Sequence, residues 1–179
     1  PQAKPAIEKA RRAGIRTLMI TGDFPDTAEE IAEEIALLRP GHGVLTGSQL
    51  DTMDDAALKE MVATTDVFAR VSPEHKVRIV NALKSHGEIV AMTGDGVNDA
   101  PALKRADIGV AMGVTGTDVA KEAADMVLTD DNYASIVDAV EQGRVIYSNI
   151  RKFVFYLLSC NMAEIAVIFI AILAGLPSP

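Results

Sequence analysis

Two carboxylates and an amide crowd into the seven residues Thr93-Gly94-Asp95-Gly96-Val97-Asn98-Asp99. Acids four positions apart on one turn suit a hard cation such as Mg²⁺, which takes one or two carboxylates and fills its shell with phosphate oxygens. An isolated Asp-Gly would be read as a helix cap, because Asp and Asn satisfy the orphan amides of a first turn. Seven such residues in this order favour the metal-and-phosphate reading. A second place for chemistry lies far downstream, where Asn161 and Glu164 interrupt a long apolar stretch. Three residues apart, they share one helix face, and an acid in the middle of a membrane-crossing segment marks a functional site by default.

The elements that must hold the first site follow from its flanks. Ile89-Val90-Ala91-Met92 reads as a buried strand, and Ala100-Pro101-Ala102-Leu103-Lys104 as a helix with Pro101 in its first turn. Upstream, residues 4–14 predict a helix stopped by Gly14, and Arg16 to Ile20 a strand ending in Thr21-Gly22-Asp23. Asp26-Thr27 with Glu29 and Glu30 predicts a capping-box start for a helix reaching about Arg39, its glutamates solvated. Val44-Leu45-Thr46-Gly47 and Val67-Phe68-Ala69 predict two further strands, with a helix over 54–63 between them. Ser72-Pro73 opens a helix ended by Gly87, and Ile108 to Gly113 is a strand of small residues. A helix near 117–124 and the strand Met126-Val127-Leu128 complete the alternation. Strands alternating with helices argue for an α/β fold with a parallel sheet. Thr-Gly-Asp at 21–23 and again at 93–95 would then emerge on one edge, where open α/β sheets place ligands.

The last third changes character. From Asn132 no strong breaker occurs before Gly175, so 133–174 would make a helix about 63 Å long at ~1.5 Å per residue. Its first part is amphipathic, and Phe153 to Leu176 is apolar and long enough to cross a bilayer, for which about 20 residues suffice. Twelve Leu, Ile, Val and Phe residues lie between 153 and 173. At their insertion values they contribute ~4–7 kcal/mol, against roughly 3 kcal/mol for one central acid. Arg144, Arg151 and Lys152 flank its N-terminal side and place that side in the cytoplasm. The expected organisation is an α/β domain over 1–131, a cytosolic stalk over 132–152 and a transmembrane helix over 153–176.

With these residues placed, the whole chain resembles one contiguous segment of a P-type cation-transporting ATPase. It is similar to the C-terminal part of the haloacid-dehalogenase-like phosphorylation domain plus the fifth transmembrane helix. The resemblance rests on Thr93 through Leu103, on Met19-Ile20-Thr21-Gly22-Asp23, on Phe68 through Lys76 and on Ile108 through Gly113. It implies that Asp95 binds Mg²⁺ with support from Asp99. It further implies that Lys76, Thr21, Gly22 and Asn98 hold the transferred phosphoryl group, and that Arg70 assists at the nucleotide. ATP is the implied substrate. Ser159-Cys160-Asn161-Met162-Ala163-Glu164 resembles the Ser-x-Asn-x-x-Glu pattern of calcium and sodium/potassium pumps, which makes Asn161 and Glu164 ligands of the transported ion. Gly175-Leu176-Pro177 leans toward the calcium branch. The family's nucleophile lies in Asp-Lys-Thr-Gly-Thr, which does not occur; Thr115-Gly116-Thr117 follows Gly113-Val114 instead. The chain, which opens on Pro1, therefore reads as a fragment carrying half of a catalytic site, expected to be inactive alone.

Composition removes other classes. The net charge of −8 argues against a nucleic-acid surface. One cysteine, Cys160, allows no disulfide framework, and His42, His75 and His86 lack metal-ligand spacing. Neither a dinucleotide fingerprint nor a Gly-Lys-Ser/Thr phosphate loop is present. Two rival readings remain. A membrane-anchored phosphatase of the same fold would need an Asp-x-Asp nucleophile pair in strand context. A tethered interaction domain would bind no Mg²⁺ and tolerate Asp95→Asn.

Overall fold

Hydrophobic runs of two to five residues, each ending at small or polar residues, become parallel strands in the computed structural model, which describes residues 2–175 and 177. In chain order the elements are α1 (Ala3–Arg12), β1 (Met19–Ile20), α2 (Pro25–Glu34), β2 (Gly43–Thr46), α3 (Gly47–Thr52), α4 (Asp55–Val62) and β3 (Thr65–Ala69). Then follow α5 (Pro73–Ser85), β4 (Ala91–Gly94), a single 3₁₀ turn over Val97–Asp99, α6 (Ala100–Arg105), β5 (Ile108–Met112), α7 (Asp118–Ala123), β6 (Met126–Leu128) and α8 (Tyr133–Leu173). All pairings are parallel, so the predicted α/β class is what the chain adopts.

The strands divide into two three-stranded sheets, β1-β3-β2 and β4-β5-β6. β3 is buried along its whole length, as the middle strand of a sheet covered on both faces must be. Leu45, Leu50, Leu58, Val62, Phe68 and Ile79 pack on one face of the first sheet, and Ile7, Ala28, Ala32, Leu37 and Val67 on the other. Burying a side chain such as Phe68 contributes about 1.5–3 kcal/mol. The second sheet packs Met92 and Ala111 against Val80, Leu103 and Ala120. Ile20 touches the cores of both sheets, so the two form one folded unit. Among the described residues, β1 and β4 each keep one edge without a strand partner.

Several predicted boundaries move, for identifiable reasons. The strand expected over Arg16–Ile20 is only two residues long, because Arg16 is drawn to the Val62 and Thr65 carbonyls and Thr17 to the Tyr133 hydroxyl. α2 does not start on an Asp26 capping box. Phe24 is its N-cap, with no side-chain cap, and Pro25 opens it. It ends at Glu34 rather than near Arg39, because Ala36 turns left-handed at φ 56°. α3 was not expected, although Thr46 and Gln49 form a reciprocal capping box. β4 starts two residues late: Ile89 is 81% exposed and the Val90 amide is taken by the Asp107 carboxylate. The strand consequently runs into Thr93 and Gly94 themselves.

The chain divides after Val137 into two compact units. Tyr133, Ala134 and Val137 belong to the first, packing on Ala6 and Ala10 of α1. The second unit is the rest of one unbroken helix, with apolar side chains exposed from Val145 to Leu173. It is long and apolar enough to cross a membrane. Leu176, the last residue of the predicted span, lies outside the described residues.

Candidate active site

The carboxyl ends of the strands gather the polar residues. β4 delivers Thr93 and Gly94, and the chain then folds back so tightly that Asp99 lies against Gly94. A Cβ at Gly94 would stand 2.4 Å from the Asp99 Cβ and 2.8 Å from its Cγ. Asp99 is buried, and each of its oxygens is engaged. Oδ1 accepts from the Lys76 Nζ at 2.5 Å, and Oδ2 accepts from the amides of Asp95 at 3.2 Å and Gly96 at 3.0 Å. Burial pushes the Asp99 carboxyl up, but the Lys76 ammonium and the two amides outweigh it and hold it below the ordinary carboxylate range.

This arrangement gives the two acids different work. Asp99 closes the turn and fixes Lys76, which reaches it from the first turn of α5 behind the Ser72–His75 capping box. Asp95 is left exposed at the end of β4, with its carbonyl accepting from the Thr117 amide at 2.8 Å. An exposed carboxylate on the turn that holds the Lys76–Asp99 pair fits Mg²⁺ arriving with a phosphate, since that ion keeps several waters and phosphate oxygens in its shell. Among the described residues no cluster of three or more His, Cys, Asp or Glu could cage a metal unaided. Asn98 is exposed on the same turn.

Thr21, Gly22 and Arg70 assemble at the carboxyl edge of the first sheet. The Thr21 hydroxyl donates to the Asp23 carboxylate at 2.9 Å, the Val71 amide donates to the Thr21 carbonyl at 3.3 Å, and the Arg70 amide donates to the Asp23 carbonyl at 3.1 Å. Lys76 follows Arg70 by six positions in the chain, and its ammonium pairs with Asp99 in the other turn. Asn161 and Glu164 are exposed on α8 in the second unit.

Two residues at this edge escaped the sequence reading. Phe24 stacks on Arg70, with the guanidinium carbon 3.8 Å from the ring centroid. Asp131 accepts from the amides of Gly113 at 2.6 Å, Val114 at 3.0 Å and Thr115 at 2.7 Å, and from the Thr115 hydroxyl. Those amides, led by Val114, push its carboxyl down to about 2. Asp131 thereby clamps the loop that donates to Asp95 through Thr117. Asp-Asp before a helix carries no signal of such a role.

The Gly94 approach makes a direct test. Gly94→Ala is expected to displace Asp99 and with it Lys76. Overpacking of this kind costs typically about 1–3 kcal/mol, read as a lowered unfolding midpoint. An unchanged midpoint would mean that the turn relaxes freely.

Parallel strands thus carry an acid pair at their carboxyl edge, with Lys76 anchored on the buried member. A family model of haloacid dehalogenase-like hydrolases matches residues 1–107, and a second of the same description matches 75–140. The chain belongs to the haloacid dehalogenase-like hydrolases. Within that class it is similar to calcium-transporting ATPase 1 of Bacillus cereus (strain ATCC 10987 / NRS 248), at 57% identity over 99% of this chain and 20% of that protein. The calcium-transporting ATPase of Bacillus subtilis (strain 168) is 54% identical over 100% of this chain and 20% of its own length. A solved structure of a zinc-transporting PIB-type ATPase matches with a TM-score of 0.71 and 32% identity, over 93% of this chain and 22% of that one. The chain thus spans about a fifth of the length of these relatives.

Proposed function

We propose that this chain is the part of an ATP-driven calcium pump that binds Mg²⁺ and phosphate and leads into an ion-binding transmembrane helix. The observation that carries the reading is the Lys76–Asp99 pair locked under an outward Asp95. Phosphoryl transfer needs little covalent chemistry from the protein beyond positioned charge around the metal and the equatorial oxygens. Lys76, Thr21, Gly22 and Asn98 receive the phosphoryl oxygens, Asp95 binds the metal with Asp99 supporting it from behind, and Arg70 meets the nucleotide. Mg²⁺ supplies neutralisation of charge on the transferring group.

The nucleophilic aspartate comes from another part of the protein, so this segment alone neither forms an aspartyl-phosphate nor hydrolyses ATP. The open edges of β1 and β4 are suited to receive its strand, since each is flanked by one of the two Thr-Gly-Asp turns. Residues 1–131 are the catalytic module, 132–152 the stalk and 153–176 the span, with 1–152 in the cytoplasm and the helix in the cell membrane. Asn161 and Glu164 offer hard oxygen donors to the cargo, and relatives named as calcium-transporting ATPases favour Ca²⁺. A sodium/potassium-type pump is the second reading, because the Asn and Glu pattern is shared with it.

Glu164→Gln in the full-length pump tests this. It is expected to raise the calcium concentration needed for phosphorylation by ATP about tenfold or more, since ligand charge sets calcium affinity. Phosphorylation by inorganic phosphate, which reads the cytoplasmic site, should persist. An unaltered calcium requirement would remove Glu164 from the ion site.

A further inference from the structure

Phe24 is 62% exposed, a large aromatic ring placed in water directly after the Thr21-Gly22-Asp23 turn. An exposed ring of this size has no core to stabilise. What it does contact is Arg70, whose guanidinium lies over its face at 3.8 Å. Arg70 is itself unusual, since it adopts φ 54°, a left-handed conformation that is unfavourable for an L-residue with a side chain. Strain of this sort persists only where the surroundings over-determine it, and it collects at ligand-binding positions.

Three neighbours impose the Arg70 conformation. The Asp23 carbonyl holds its amide. Gly47 lies against its carbonyl so closely that a Cβ there would come within 2.1 Å of the oxygen. Phe24 holds the other end, the guanidinium. The backbone that carries the ring is restricted in turn, because Phe24 is the extended N-cap of α2 and Pro25 follows it. Backbone and side chain of Arg70 are therefore both constrained while its charged end stays at the surface.

We propose that Phe24 is a positioning residue for the nucleotide: its ring stacks on the Arg70 guanidinium and holds it ready at the carboxyl edge of the first sheet. The proposal rests on the reading of Arg70 as a nucleotide contact. An arginine that is already immobilised loses less side-chain freedom when a ligand arrives, and this pre-organisation appears as affinity. A planar guanidinium over a ring can still donate from its N–H edge, which a lysine could not imitate.

The test uses the full-length pump and measures phosphoenzyme formation against ATP concentration, and separately against inorganic phosphate without nucleotide. Phe24→Ala and Phe24→Leu are expected to raise the ATP concentration for half-maximal phosphorylation about three- to fivefold, the size an exposed cation–π contact yields. The maximal rate and the phosphate-driven reaction should hold, and Phe24→Tyr should restore the ATP requirement. Arg70→Ala should produce at least as large a shift. If Arg70→Ala shifts the ATP requirement and both Phe24 variants do not, the proposal fails and the Arg70 reading stands. If Arg70→Ala has no effect, both fail together. A change in the phosphate-driven reaction on Phe24→Leu would make Phe24 a general support of the turn and overturn its nucleotide role. Should Phe24→Ala not fold, the leucine and tyrosine variants carry the comparison alone.

Discussion

Phosphoenzyme formation in the full-length pump is expected to fall by about 10²–10³ on Asp95→Asn, the loss typical of removing one preorganised electrostatic group. Asn keeps the shape of Asp and the backbone bond to Thr117, so the turn should stay folded; what it loses is the charge. The neighbouring acid cannot substitute, because one Asp99 oxygen is held by Lys76 and the other by two amides. The diagnostic measurement is the Mg²⁺ concentration for half-maximal phosphorylation by inorganic phosphate. It should rise steeply in Asp95→Asn while the unfolding midpoint holds. A normal Mg²⁺ requirement would exclude Asp95 from the metal site and restore the tethered-interaction reading.

The second large effect lies at the opposite, amino-terminal ends of the strands. Asp66 on β3 is 0% exposed. Its carboxylate takes Arg39 at 2.7 Å, Arg16 at 3.2 Å and the Arg39 amide at 3.0 Å, with the His42 Nδ1 at 3.3 Å. It therefore ties the segment before β1 and the loop after α2 to the central strand. Asp66→Ala leaves two partly buried guanidinium groups facing one another, and breaking a buried pair costs about 3–5 kcal/mol. Denaturant titration of the domain should show that loss as a lower midpoint; a change within experimental scatter would show that water solvates the cluster.

The same carboxylate gives a pH signature. Burial pushes Asp66 up, but the Arg39 side-chain and amide bonds outweigh it and hold it below the ordinary value. With the folded pKa below the unfolded one, the stabilisation is present in full above about pH 3.9 and is lost as pH falls through the lower folded value. Acid unfolding should therefore be steeper in the wild-type chain than in Asp66→Asn, over that window only.

The turn over residues 93–99 was legible because its signals are local: seven consecutive residues, bounded by an apolar run and a proline, dictate a strand, a turn and a helix. β3, β5, β6 and α5 could be read for the same reason. The division of labour between Asp95 and Asp99 could not be read from spacing, since it depends on where Lys76 arrives from 23 positions away. Phe24 and Asp131 were invisible on the same ground, their partners being 46 and 16–18 residues distant. β1 was overestimated because Arg16 and Thr17, good enough strand residues, are claimed by tertiary hydrogen bonds. Long-range pairing, rather than propensity, decides such positions.

The edges of β1 and β4 that lack a strand partner among the described residues bear on the order of events during biosynthesis. A strand that carries the nucleophile and docks between them would unite two small sheets and complete the catalytic centre in a single step. Under that reading, folding is its own safety interlock. On the proposed function, a pump whose sheet had not closed would have no way to spend ATP, and its first phosphorylation would certify that distant parts of the chain had met.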